Sequence, residues 1–258
     1  MSKWLAFVLI LISDNRLFAA PLNVLVGQNK PPYIELETQS GYALDLLAEI
    51  VRRMGHEAVF IFVPNARIRL LLESGNGDIA SLQPNDDIDA ELFFSQPYVR
   101  YQNVVVSRRN DDFTIQHPAD LSQRSVLAFQ GAGKTLGADF YDLVATKSGY
   151  QETVDQKAQV EMLLYGRVQS IVLDRNIFTY HQKNSAMQTQ TVVHELFSST
   201  LYRAAFRDVA LQRAFDKALL SVMLDNWYKQ LQLRYFTELN QHLPNRYCCA
   251  ELLDLSYP

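Results

Sequence analysis

The chain has 258 residues, of which 48% are hydrophobic and 20% are charged, and its formal net charge is −4. This length suffices for two compact lobes, and the acidic balance makes nucleic acid and anionic lipid surfaces poor partners. The two cysteines are the neighbours Cys248 and Cys249 near the C-terminus. Adjacent cysteines rarely bridge each other because the ring is strained. A hydrophobic core, rather than a disulfide framework, must therefore hold the fold.

Residues 1–20 have the pattern of a cleaved signal peptide. Lys3 makes the start positive, and the apolar run 4–12 is too short to span a bilayer. Small residues allow cleavage after Ala19 or Ala20, and an uncleaved anchor is the alternative. No later run approaches the roughly 18 apolar residues of a membrane helix. We therefore predict a protein exported to the periplasm.

The first part of the mature chain alternates between strands and helices. Apolar runs predict strands at 22–26, 56–63 and 77–82. Apolar residues at helical spacing predict helices at 44–54 and 66–74, each followed by a glycine. A β-α-β-α-β series predicts an α/β lobe with a mainly parallel sheet.

The segment 94–109 begins as a turn and continues as a β run. Pro97 fixes its own φ and pushes Gln96 toward extended geometry. From Tyr98 to Val106 most residues are aromatic, β-branched or amide, which predicts one long strand. We expect this strand to leave one lobe and enter another, forming a hinge beside a cleft.

A second α/β lobe and a return to the first are predicted beyond this segment. Strands are expected at 125–129 and 168–174, and helices at 134–147 and 156–165. After 192–193 the chain is expected to cross back into a strand at 201–206 and two helices. The predicted organisation is a signal peptide (1–20), a discontinuous lobe 1 (21–102 and 197–240), lobe 2 (103–196) and a C-terminal tail (241–258).

Six short features, in order along the mature chain, resemble those of bacterial periplasmic solute-binding proteins with the type II fold. The family resembled is family 3, which binds polar amino acids for ABC import. The features are Pro-Pro-Tyr at 31–33, Gly41-Tyr42 with Asp45, Leu-Leu-Glu-Ser-Gly and Gly-Asp within 71–78, Phe-Ser-Gln-Pro-Tyr at 94–98, Gly-Arg-Val and Leu-Asp within 166–174, and Tyr-Arg-Ala-Ala-Phe-Arg at 202–207. Each feature alone is weak, and the ordered set carries the resemblance.

The resemblance implies two lobes, each a mainly parallel sheet flanked by helices, joined by two hinge crossings. It also implies a monomer that captures a small polar solute, an amino acid or a related compound, in the cleft between the lobes. The solute would then pass to an ABC permease in the inner membrane. No cofactor or metal is expected, since the five histidines lack metal-ligand spacing.

The chain departs from the resembled family just ahead of the Phe-Ser-Gln-Pro-Tyr feature. Members that bind α-amino acids usually carry there a Thr and, three residues later, an Arg that grips the ligand carboxylate. In this chain those positions are Asn85 and Ile88. Arg67, near a predicted helix N-terminus where a cation gains nothing from the helix dipole, is the nearest substitute. An ion pair with a nearby carboxylate is the alternative for Arg67.

Several residues of lobe 1 are candidates for ligand contact. Tyr33 follows a strand at the carboxyl edge of the sheet, where α/β folds bind ligands, although a core aromatic is the alternative. Lys30 beside it is interpreted as a solvated charge. Gln83 and Asn85 follow the third strand and offer amide contacts, or serve as turn residues. Tyr98 and Tyr101 either line the cleft or pack within their strand.

Lobe 2 contributes two candidate regions. The turn at 130–133 precedes a predicted helix, so backbone N–H groups near Gly131, Gly133 and Lys134 suit an anion. A phosphate loop is rejected because Ala128 stands where that pattern needs glycine. Asp174 ends a predicted strand, and the resemblance implies that it pairs with a ligand ammonium. A helix N-cap is the alternative for Asp174.

Two other functions remain open from the sequence. Some relatives of this fold are dehydratases, so an exported enzyme resembling cyclohexadienyl dehydratase is one alternative, with Glu35, Glu37 or Glu195 as candidate carboxylates. A sensor or accessory binding module without its own transporter is the other. No catalytic residue is predicted, since the chain has no Gly-x-Ser-x-Gly elbow.

Overall fold

A computed structural model describes residues 20–84 and 91–236 of the chain. The predicted signal peptide, except for Ala20, lies outside the described residues. So do Asn85 and Ile88, the last residues assigned to lobe 1 (237–240), and the tail 241–258 with both cysteines.

The described part contains eleven strands and eight α-helices, besides two short 3-10 helices. The strands are β1 (Leu22–Val26), β2 (Ala58–Phe62), β3 (Ile79–Gln83), β4 (Phe93–Phe94), β5 (Val99–Tyr101), β6 (Asn103–Arg108), β7 (Val126–Phe129), β8 (Tyr150–Thr153), β9 (Ser170–Asp174), β10 (Thr191–His194) and β11 (Thr200–Phe206). The helices are α1 (Tyr42–Arg53), α2 (Asn65–Glu73), α3 (Ala132–Thr135), α4 (Ala138–Thr146), α5 (Gln156–Leu164), α6 (Arg175–Lys183), α7 (Val209–Met223) and α8 (Asn226–Phe236).

The strands form two sheets. The first has the order β2-β1-β3-β11-β4, with β5 also paired to β11, and the second has the order β10-β6-β9-β7-β8. Each sheet contains a set of three parallel strands, β2-β1-β3 in one and β8-β7-β9 in the other. The strands next to the crossings, β5, β6, β10 and β11, pair antiparallel. We call the part built on the first sheet lobe 1 and the part built on the second lobe 2.

Helix α1 shows why the helices cover the sheets. Its apolar residues recur at helical spacing, so one face is fully buried, and the helix packs against α7 and α8 of the same lobe. Gly55 follows the helix with φ +84°, a left-handed conformation that glycine adopts without strain. The C-terminal helices α7 and α8, from a distant part of the sequence, thus pack against α1.

The predicted single strand from Tyr98 to Val106 is wrong in one respect, because it is two strands. Strand β5 pairs with β11 in lobe 1, whereas β6 pairs with β9 and β10 in lobe 2. Gln102 separates them: its N–H donates to Asp174 Oδ2 at 2.9 Å, and its carbonyl accepts the N–H of Arg175 at 2.9 Å. The chain therefore passes between the lobes at a residue bonded to the start of α6 instead of to a sheet.

Other boundaries also differ from the prediction. The helix expected at 134–147 is interrupted before α4 at Gly137, whose φ is +95°. Strand β8 and helix α6 are additional elements of lobe 2. Among residues 20–84 and 91–236, no helix has both the length and the hydropathy that a membrane span requires.

Candidate functional site

A cavity of about 220 Å³ lies between the lobes. Lobe 1 lines it with Lys30, Ser81, Gln83 and Tyr101, and lobe 2 lines it with Asn103, Gln156 and Asp174. Apolar side chains such as Ile68, Phe129 and Ile177 complete the wall. The wall thus combines apolar side chains with many polar ones, and convergent polar groups in a cavity are typical of a small-molecule site.

Four buried polar atoms of this wall have no hydrogen-bond partner among the described residues. They are Ser81 Oγ, Tyr101 Oη, Asn103 Nδ2 and Gln156 Oε1. The side chains belong to residues that are at most 9% exposed. Leaving a buried polar group unpaired costs about 1–3 kcal/mol, and most such groups in native proteins are paired. All four atoms line one cavity, where a bound molecule would be within reach of them.

Lys30 is a half-buried residue of the same wall. Burial lowers the pKa of Lys30, and the attraction of Asp174 opposes that shift. Among the described residues, the Lys30 ammonium makes no ion pair within 4.0 Å. The interpretation of Lys30 as a solvated charge is therefore wrong, because this lysine faces the cleft.

Asp174 ends β9 in the cavity wall, and four donors of the chain bind its carboxylate. The N–H groups of Asn176 and Ile177 donate to Oδ1 at 2.9 and 3.1 Å, so Asp174 is the N-cap of α6. Tyr33 Oη donates to Oδ1 at 3.2 Å, and the N–H of Gln102 donates to Oδ2. Burial raises the pKa of Asp174 to about 6, although these hydrogen bonds lower it. The capping role is observed, and contact with a ligand remains a prediction.

Tyr33 is buried at the junction of the lobes and is not part of the cavity wall. Its ring lies 4.5 Å from that of Tyr101, centroid to centroid, and its hydroxyl accepts Asn176 Nδ2 at 2.8 Å. Burial and the neighbouring Asp174 raise the pKa of Tyr33 well above its usual value, so the phenol stays protonated. Tyr33 thus joins the loop after β1 to the start of α6 in the other lobe.

The turn at 130–133 binds an anion, but that anion is a side chain of the protein. The N–H groups of Gly131 and Gly133 donate to Oε2 and Oε1 of Glu152 at 2.7 and 3.0 Å. Burial raises the pKa of Glu152, and hydrogen bonds from Tyr150, Gly131 and Gly133 outweigh it, so the pKa is lowered. Lys134 is exposed on the short α3. These three predicted residues do not line the cavity, whereas their neighbours Gln130 and Thr135 do.

The remaining candidates fall in different places. Gln83 lines the cavity, and its Nε2 donates to the carbonyl of Ser81 at 2.7 Å. Tyr98 is fully buried against Phe215, and its hydroxyl accepts the N–H of Leu82, which is a wall residue. Tyr98 therefore supports the wall from behind. Arg67 is exposed and is not a wall residue, so this arrangement does not bring it to Asp174.

The carboxylates considered for catalysis lie elsewhere. Glu35 accepts Tyr180 Oη and Thr38 Oγ1, Glu195 pairs with Arg175, and Glu37 is exposed. Within the described ranges, Asp174 is the only carboxyl group of the cavity wall. The same ranges contain no cluster of three potential metal-binding side chains.

Sequence reasoning missed most of the polar wall. Ser81 follows Ile79 and Ala80 in β3, Asn103 directly precedes the apolar run 104–106 of β6, and Gln156 opens α5. A polar residue within or beside an apolar β run was the available signal, since such a residue needs a partner when buried. The sequence allows both Tyr98 and Tyr101 to line the cleft or to pack in the core. Only the fold shows that Tyr101 is a wall residue and Tyr98 a core residue.

A profile of the bacterial extracellular solute-binding proteins, family 3, matches residues 22–238. No curated protein sequence matches the chain. Among solved structures, an ancestral arginine-binding protein bound to glutamine is similar, with 22% identity and a TM-score of 0.68 over 84% of this chain and 97% of that chain. Because this identity is low, the likeness shows the fold.

Two further structures share the fold at similar distance. A histidine kinase sensor domain with similarity to periplasmic binding proteins has 18% identity and a TM-score of 0.68 over 84% of this chain and 96% of that one. An ABC uptake transporter substrate binding protein from Streptococcus pneumoniae with bound histidine has 16% identity and a TM-score of 0.66 over 84% and 92%. The predicted two-lobe fold is confirmed. The profile match over most of the chain shows that the protein belongs to the bacterial extracellular solute-binding proteins, family 3.

Proposed function

We propose that this protein is an exported substrate-binding protein that captures a small polar solute for ABC-type import. The observation that carries the proposal is the set of four unpaired buried polar atoms in one cavity, two from each lobe. A solute that bonds to both lobes at once favours the closed arrangement, and a ligand-driven closure is the motion expected of such a fold.

Export and import rest on supporting observations of a different kind. Residues 1–20 have the signal-peptide pattern, and a structure of the same fold is an ABC uptake transporter substrate binding protein. The membership in an extracellular solute-binding family supports both. We propose a monomer that delivers its solute to an inner-membrane permease.

The first experiment is a thermal-shift screen of the mature chain against amino acids, small organic acids and amines. A solute at 100 times its Kd stabilises the folded state by about 2.7 kcal/mol, which gives a clear shift in Tm. Calorimetry then measures the affinity. If no solute in the screen stabilises the protein, the proposed function is rejected.

A pair of serine variants tests whether the solute binds in this cavity. Ser81→Val removes an unpaired hydroxyl from the wall, so we expect weaker solute binding and unchanged or higher stability without solute. Ser170→Val is the matched control, because Ser170 Oγ is also buried without a partner among the described residues but lies outside the wall. Equal solute affinities in the two variants contradict the assignment of the site.

A sensor role is the second candidate, because a histidine kinase sensor domain shares the fold. Deleting the gene separates the two functions. Loss of solute uptake supports the import role, whereas unchanged uptake together with a lost transcriptional response to the solute supports the sensor. The dehydratase alternative has less support, because the chain already uses the wall carboxyl of Asp174 as a helix cap.

A further inference from the structure

One end of the cavity is rich in hydrogen-bond donors. The unpaired atoms there include the amide nitrogen of Asn103 and the hydroxyl of Tyr101. Burial raises the pKa of Tyr101 well above its usual value, so this phenol remains a donor. Lys30 adds an ammonium with three N–H groups. Among the unpaired wall atoms, Gln156 Oε1 is the one that can only accept. A molecule that satisfies this set must bring acceptors.

These donors converge near Asp174. Asn103 is paired in register with Asp174 across β6 and β9, and Tyr101 stands two residues before Asn103. The Tyr101 ring contacts Tyr33, which donates to Asp174, and Lys30 is close enough to Asp174 to feel its charge. Lys30, Tyr101 and Asn103 therefore face the same end of the cavity from both lobes.

Both carboxylate oxygens of Asp174 already have hydrogen-bond donors from the protein. Four donors of the chain bind its two oxygens, and it sits at the positive end of the α6 dipole. The Lys30 ammonium has no such partners, since it makes no hydrogen bond and no ion pair with another described residue. A lysine usually extends its ammonium into water. A half-buried lysine that has no anion in contact among the described residues points to an anionic ligand.

Resting on the proposed solute-binding function, we propose that Lys30 is the carboxylate-binding residue of the cleft and that the solute is a small organic acid. The side chains of Tyr101 and Asn103 donate to the same carboxylate. An α-amino group on the solute is not required, because Asp174 serves as the cap of α6.

The test compares matched solutes on the mature protein by calorimetry. The probes are C3–C6 mono- and dicarboxylates, the α-amino derivative of each, and the amine of the same chain length, as in glutarate, L-glutamate and 1,5-diaminopentane. We expect one or more of the acids to bind, the α-amino group to change affinity by less than about tenfold, and the amines not to bind.

Variants of Lys30 then locate the carboxylate. We expect Lys30→Gln to weaken acid binding by at least about tenfold, because a charge-assisted hydrogen bond is lost, and Lys30→Arg to restore most of it. Lys134→Gln is the control, since Lys134 is exposed and outside the wall. Lys30→Gln is expected to fold with unchanged or higher Tm, because it removes a desolvated charge.

The outcomes separate this inference from the proposed function. If amines bind as tightly as acids, or if Lys30→Gln binds acids like the unaltered protein, the carboxylate assignment is wrong while solute binding stands. If none of these probes binds but another solute does, the assignment is equally wrong. If nothing binds in the broader screen, both proposals fail.

Discussion

At the scale of single residues, Asp174 shows how one side chain serves both a helix and the junction of the lobes. Its carboxylate caps α6 of lobe 2 and accepts a hydrogen bond from Tyr33 of lobe 1. The site is fully buried, so the ionised form loses hydration. The hydrogen bonds return only part of that cost, and the pKa of Asp174 is raised to about 6.

This raised pKa predicts the sign of a pH effect. An unfolded aspartate has a pKa of about 3.9, so the folded state binds the proton more tightly and stability falls as pH rises from about 4 to about 6. The contribution is up to about 3 kcal/mol. Asp174→Asn removes it. We therefore expect the unfolding free energy of the unaltered protein minus that of Asp174→Asn to decrease as pH rises over this range.

Urea denaturation at several pH values measures that difference. Asp142→Asn is the control, because Asp142 is exposed and its difference from the unaltered protein should stay constant. A difference for Asp174→Asn that stays constant or grows with pH contradicts the burial argument.

At the scale of elements, the turn between β7 and α3 is held by the neighbouring strand. Strand β8 runs parallel to β7 and places Glu152 beside the turn. The carboxylate receives the N–H groups of Gly131 and Gly133 and the hydroxyl of Tyr150. The N–H groups of this turn are therefore already paired with a carboxylate of the protein. An anionic solute is not needed to satisfy them.

Replacing Glu152 tests this arrangement. Glu152→Gln can place an amide N–H group against the backbone donors of the turn. We therefore expect the unfolding free energy to fall by about 1 kcal/mol. The value is modest because residue 152 is exposed. Denaturation at pH 7 measures it. Glu73→Gln, at another exposed glutamate, provides the comparison. If the two variants are equally stable, Glu152 does not stabilise the turn.

At the scale of the whole molecule, a few polar contacts between described residues join the two lobes beside the crossings. Tyr180 Oη on α6 donates to Glu35 Oε1 of lobe 1 at 3.2 Å, and Tyr33 bonds to Asp174 and Asn176. Gln102 Nε2 donates to the carbonyl of Phe197 at 2.8 Å, which links the first crossing to the second. A small number of interlobe bonds is compatible with an opening motion that does not unfold either lobe.

Removing one interlobe bond should favour the open arrangement. A hydrogen bond contributes about 0.5–1.5 kcal/mol net, so Tyr180→Phe should shift the closed-to-open ratio several-fold. We expect a larger radius of gyration for the solute-free variant in small-angle X-ray scattering. Tyr165→Phe is the control, because Tyr165 is exposed at the end of α5. No difference between the variants means that Tyr180 does not hold the lobes together.

Local patterns in the sequence determined most of the α/β elements, the two-lobe fold class and the family. These predictions succeeded because apolar spacing, glycine after helices and short ordered features act over a few residues. The element order then restricts the topology strongly, since connections in α/β lobes follow few paths. The turn at 130–133 and the segment 94–109 could be located in this way. The residues that they contact in the folded protein could not.

Only the tertiary structure decided which polar side chains share the cavity. Glu152 reaches Gly131 across 21 residues, and Tyr33 reaches Asp174 across 141. A local pattern carries no information on such partners, so Tyr98 and Tyr101 looked alike although one packs in the core and the other lines the cavity. Likewise the local sequence indicated a solvated charge at Lys30, because it carries no information on the cavity that the two lobes form together. Burial depends on what the rest of the chain brings near a residue, and burial is what turns a polar side chain into a binding group.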